Sequence, residues 1–184
     1  GPGFKSDKPM IFKMRKKAPP SFVLIGNWSF GLRNGKFKWL DLYRRQWTDP
    51  KWLGSHKMRY PDWHADVKVS VEEDSENFRL VLEVLDADSG FVVESSEFFE
   101  EMTEAPEQGY RSKLVIPVSK GSGRHLFAYV KSAGGLFYSK LSVGYSNSGG
   151  RDSVGLRFGY QTNVAGGRGL GYDDRLYRQY LNDE

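Results

Sequence analysis

The chain of 184 residues has no cysteine, and no tryptophan after residue 63. The first absence excludes disulfides, thiol nucleophiles and cysteine-ligated metal. Histidine is scarce as well: His56, His64 and His125 lie far apart, with no H-x-H or H-E-x-x-H spacing, so no metal centre and no cofactor are expected. No run approaches the roughly 18 apolar residues that a membrane-spanning helix needs; Phe22 to Ile25 is far too short. No serine stands in a nucleophile-elbow motif. Gly166-Gly167-Arg168-Gly169-Leu170-Gly171 lacks the Lys-[ST] ending of a phosphate loop and follows no βαβ pattern. Asp86, Asp88 and Gly90 match only the opening of a calcium loop, and serve equally as turn residues. Asp41 beside Trp39 is a conceivable acid/base group without an identifiable partner. The expectation is a protein that is not an enzyme.

What is present is alternation. In 153–160, Val154, Leu156, Phe158 and Tyr160 alternate with Ser153, Gly155, Arg157 and Gly159, which places the four apolar side chains on one face of a strand. Residues 137–145 repeat the pattern with Phe137, Leu141, Val143 and Tyr145, and Leu126, Ala128 and Val130 do so upstream. Ala133-Gly134-Gly135 and Ser146-Asn147-Ser148-Gly149-Gly150 can reverse the chain between them. The stretch 125–162 is therefore read as a three-stranded antiparallel meander around which the other strands pack. Gly144, Gly155 and Gly159 inside these strands mark a bulge, a close approach by a neighbouring ring, or a flat surface on which a ligand lies.

Between 67 and 118 the same period recurs in Val67-Val69-Val71, Phe78-Leu80-Leu82-Val84, Phe91–Glu94 and Lys113–Val118, with Pro117 marking an edge strand. Residues 95–108 hold a short helix or an irregular crossing. Six or seven strands at this spacing over 67–162 predict a mostly β protein with little helix, an antiparallel β-sandwich of immunoglobulin-like or jelly-roll topology. A partly open barrel is the alternative.

Gly1-Pro2-Gly3 reads as a tag remnant, and Lys5 to Lys17 with Ala18-Pro19-Pro20 as a basic arm or linker, so that 1–20 precede a single sandwich domain over 21–184. Within it, 21–63 form a tryptophan-rich hairpin and loop, 64–163 the sandwich core, and 164–184 a C-terminal tail. Asn34-Gly35 between two apolar runs predicts a hairpin in which Leu32 faces Phe37 and Phe30 faces Trp39, with Trp28 on the same aromatic face. A helical turn over 40–46 is a further expectation.

Charge is divided unevenly. Residues 1–63 carry 14 Lys/Arg against 4 Asp/Glu, a balance of +10, and the remainder carries 13 against 19, a balance of −6, which leaves +4 for the chain. Trp28, Trp39, Trp47, Trp52 and Trp63 all belong to the basic part. Rings stack on sugar faces, while Arg and Lys meet carboxylate, sulfate or phosphate. The candidate ligand-binding residues are accordingly Trp47, Trp52 and Trp63 with Arg44, Arg45, Lys51 and Arg59. The expected function is a non-catalytic binding module for a polysaccharide or another anionic ligand, at a cell surface, in a periplasm or secreted. A structural or protein-interaction domain of a larger assembly is the alternative, and nucleic acid is a further possible partner. Residues 72–107 hold 13 acidic residues against the single Arg79, so the basic segment also has a potential counterpart within the chain.

Overall fold

The computed structural model describes residues 23–53, 55, 64–74, 77–95, 98–119, 123–147 and 153–171. The basic arm, Trp63, Arg59 and the tail beyond 171 lie outside them. Ten strands follow in chain order: β1 Val23–Arg33, β2 Phe37–Asp41, β3 Gln46–Thr48, β4 Val67–Asp74, β5 Asn77–Val84, β6 Gly90–Glu94, β7 Lys113–Val118, β8 Gly123–Ser132, β9 Phe137–Ser146 and β10 Ser153–Asn163. They form two five-stranded antiparallel sheets, β1-β10-β9-β8-β6 and β3-β2-β4-β5-β7. The chain is a β-sandwich, and the helical structure among the described residues is slight: three single-turn 3-10 segments, with Leu53 and Ser55 helical after the first of them.

The meander is present as β8–β9–β10, with Leu126 opposite Val143 and Leu141 opposite Tyr160. Gly134 and Gly135 turn it at φ of 65° and 92°, a region that side chains avoid. One face of these strands meets Leu40, Val67, Val69, Val71, Leu80 and Leu82 of the second sheet. Burial of each such side chain stabilises the fold by about 1.5–3 kcal/mol. Phe127 and Tyr129, two of the odd members of β8, are partly and fully buried. They face outward into a smaller core with Met102, Ala105 and Leu170, supplied by 98–110 and 164–171. That crossing is irregular, with one 3-10 turn at Phe99–Glu101. Pro117 lies on β7, an edge strand, where its missing N–H costs no ladder bond.

The Asn34-Gly35 hairpin is corrected. The turn exists: Lys36 N–H donates to Arg33 O at 3.0 Å, and Gly35 has φ 69°. Its two flanking strands do not pair. β1 gives eleven residues of register to β10, and β2 pairs with β3 and β4, so the turn is a corner between the sheets. Gly35 N–H instead donates to Val71 O, and Asn34 clasps Glu73 through Nδ2 to Oε2 at 2.9 Å and Glu73 N–H to Oδ1 at 3.0 Å. Trp28, Phe30 and Leu32 pack on the core. Phe37 and Trp39 do not join them. Their partners across the ladder are Ser70 and Lys68, whereas Lys38 and Leu40 stand opposite the buried Val69 and Val67. Nor is 40–46 helical, because its middle is the reversal between β2 and β3, completed by Arg45 at φ 56°.

Candidate ligand-binding edge

The inward face of β2 brings a lysine to the mouth of the sandwich. Lys38 is only 6% exposed, and its Nζ lies 2.9 Å from Asp49 Oδ1. A desolvated ammonium needs both a counter-charge and polarisable neighbours. Asp49 supplies the first. Trp47 and Phe30 supply the second, with ring centroids 3.8 Å and 5.2 Å from Nζ and 5.5 Å from each other. Trp47 is thereby fixed with one side against the cation while the ring remains 38% exposed.

Beside this cluster the end of β1, the 33–36 turn, the start of β2 and the segment after β3 enclose a cleft of about 630 Å³. Its charged lining is Arg33, Lys36, Lys38 and Lys51 against Asp49. Asp49 is committed to Lys38. Among the described residues no ion pair engages Arg33, Lys36 or Lys51, so the cleft keeps three cations turned toward solvent. Trp52 follows Lys51 in a 3-10 turn, is 56% exposed, and has the Lys51 Nζ 5.4 Å from its centroid. The structure thus gathers Trp47, Trp52 and Lys51 at one edge and adds Lys38, Lys36, Arg33 and Phe30. Lys38 was not among the candidate ligand-binding residues read from the sequence. The β2 alternation against Val67 and Val69 is the signal that it points inward.

Arg44 and Arg45 are turned to a different task at the far end of the β2–β3 hairpin. Asp41 and Asp66, both nearly fully buried, hold that end together. Asp41 accepts from Arg44 N–H at 2.6 Å and from His64 N–H at 3.3 Å, and Asp66 accepts from Leu42 N–H at 2.7 Å. Desolvation raises both carboxyls, Asp66 to about 7. The Arg44 charge works against that rise at Asp41, and Arg45 lies near enough to Tyr160 to oppose the burial that pushes its phenol up. His64 is raised by its 2.7 Å bond to Asp86. Neither Arg44 nor Arg45 lines the cleft. Asp66 was invisible in the sequence, where it is one polar residue before a strand.

Within the acidic strip, Glu72, Glu83, Asp86, Glu104 and Glu107 take ion pairs from Arg79, Lys68, His64 and Arg168, all beyond residue 63. Among the described residues no group of three or more acidic or histidine side chains is placed to hold a metal ion. No helix among them is long and apolar enough to cross a membrane. No protein-family profile matches this chain, and no curated protein sequence matches it.

Proposed function

We propose that this protein is a non-catalytic binding module for an acidic polysaccharide, working at a cell surface, in an envelope or outside the cell. The observation that carries the reading is the cleft in which Arg33, Lys36 and Lys51 stand free of carboxylate partners among the described residues, next to the exposed ring of Trp52. Uronate or sulfate groups match those cations, and a sugar face matches the indole.

The test is a titration of intrinsic tryptophan fluorescence with oligogalacturonate, a neutral cello-oligosaccharide and single-stranded DNA. Oligogalacturonate is expected to shift the emission of Trp47 and Trp52, and Lys36→Ala with Lys51→Ala to weaken binding at least about tenfold, as loss of charge-assisted contacts does. A silent titration with the acidic glycan defeats the reading. Tighter DNA binding with a steep salt dependence replaces it.

A protein-interaction domain has its own supporting observation. The edges of β6 and β7 flank a groove of about 560 Å³, and Val93 and Val115 beside it are 49% and 46% exposed. In that case Val93→Glu with Val115→Glu abolishes association with a protein partner, and every glycan titration is silent.

A further inference from the structure

The outer face of the first sheet carries a second cavity that shares a residue with the cleft. It measures about 810 Å³, and Gly31 lines both. Two cross-strand rows make its floor. Gly31 stands opposite Gly155, which stands opposite Ser146, opposite Gly123. The next row runs Ser29, Arg157, Gly144 and His125. Residues directly opposite across a ladder share a face, so small side chains over four strands lower the surface into a trough. Arg157 and His125 rise from it, and Arg124 borders it. No carboxylate lines this cavity, and among the described residues no ion pair engages Arg157 or Arg124. The sequence assigned Gly144 and Gly155 to a bulge, a ring contact or a flat ligand surface. Neither is a bulge: both sit in unbroken ladder, with the His125 ring and Arg157 nearest Gly144 and Ser146 nearest Gly155.

We propose that the acidic chain held in the cleft passes over Gly31 and continues across this trough, so that the module binds the interior of a linear polyanionic glycan along a path. The inference rests on the cleft reading above and specifies its ligand as a polymer. From β1 to β8 the trough crosses three strand spacings, about 14 Å at ~4.8 Å each. Cations mark both ends of the route: Lys36 and Lys51 in the cleft, Arg157 and Arg124 beyond Gly31. Charge complementarity and continuity together select the occupant. A nucleic acid strand is less suited, because base binding uses successive exposed rings, and of the rings lining the trough His125 is exposed while Phe30 and Tyr145 pack into the core.

Gly31 offers a direct obstruction. A Cβ there meets nothing within 4 Å, so a side chain stands in open space at the junction of the two cavities. The experiment is calorimetric titration of the full chain with oligogalacturonates of increasing length, for the wild type, Gly31→Phe and Arg157→Ala, with circular dichroism to verify folding. In the wild type, affinity is expected to rise with oligomer length. In Gly31→Phe that gain disappears, and in Arg157→Ala the longest oligomers bind about tenfold more weakly. Should Gly31→Phe fail to fold, Arg157→Ala still decides the matter, since its side chain is exposed. Short and long oligomers bound equally well, with no effect of Arg157→Ala, overturn the path and leave the cleft reading standing. No binding at any length overturns both. Single-stranded DNA bound more tightly than oligogalacturonate, and blocked by Gly31→Phe, overturns the glycan as occupant.

Discussion

The ring of Tyr160 on β10 occupies the space where Gly26 of the facing strand β1 would carry a side chain. A Cβ on Gly26 would overlap the Cζ and hydroxyl of Tyr160, and Trp28 confines the ring from the next position at 4.5 Å between centroids. Gly26→Ala is therefore expected to cost about 1–3 kcal/mol, the range for overpacking in a core, and to lower the urea midpoint. The Tyr160 hydroxyl is buried with no hydrogen-bond partner among the described residues, so Tyr160→Phe is expected to be neutral or stabilising. An unchanged midpoint in Gly26→Ala would mean that the ring has room to move.

Asp49→Asn should leave Lys38 buried without its counter-charge. Breaking a fully buried pair costs about 3–5 kcal/mol; here the Asp49 side chain is 34% exposed, and we expect about 1–2. Lys38→Met keeps the stem volume and removes the charge. Added to Asp49→Asn, it should recover most of the loss. A double-mutant cycle by urea denaturation measures the coupling, and additive effects would show that the pair contributes nothing beyond its parts.

The Asp66 carboxyl is raised to about 7 from an ordinary 3.8, so between those values the native state holds a proton that the unfolded chain releases. This contribution is fully present below about pH 4 and is lost as pH rises toward 7. Asp41, raised as well, acts in the same direction, and so does His64, raised by its bond to Asp86. Asp66→Asn retains an acceptor for Leu42 N–H and is expected to gain about 1–3 kcal/mol at pH 8, with little gain at pH 4. An equal effect at both pH values would locate the cause outside this carboxyl.

Lys140 presents the opposite sign. Burial lowers its pKa to about 8 from 10.5, although Nζ donates to Phe99 O at 3.1 Å and lies 4.6 Å from the Phe99 centroid. The unfolded chain binds the extra proton, so stability rises with pH between about 8 and 10.5. Lys140→Met should raise the melting temperature at pH 7 and flatten that slope. A lower melting temperature would show that the Phe99 bond outweighs the desolvation.

Much of the fold was legible from local pattern. Val154, Leu156, Phe158 and Tyr160 show which face of β10 is buried because successive side chains alternate whatever strand lies alongside. Pro117 marks an edge for an equally local reason, the missing N–H. Asn34-Gly35 was legible as a turn but misleading as a hairpin: β1 pairs with β10 while β2 pairs with β3 and β4 in the other sheet, and a turn dipeptide carries no information about which distant strands its flanks join. The candidate site was half legible. Lys51 lines the cleft and Trp47 and Trp52 stand beside its lysines, whereas Arg44 and Arg45 lie at the other end of the β2–β3 hairpin, near Asp41 and Tyr160.

The chain by itself determined its class, most of its strands, and the confinement of the tryptophans and of the net positive charge to the first 63 residues, since composition and side-chain period need no partner. Only the tertiary structure decided that Lys38 lies under Trp47, that Arg44 and Arg45 face Asp41 and Tyr160, and that Gly31 joins two cavities. Each of these depends on which distant strands compete for the same edge and what burial then does to a charge, and neither quantity exists until the sheets have packed.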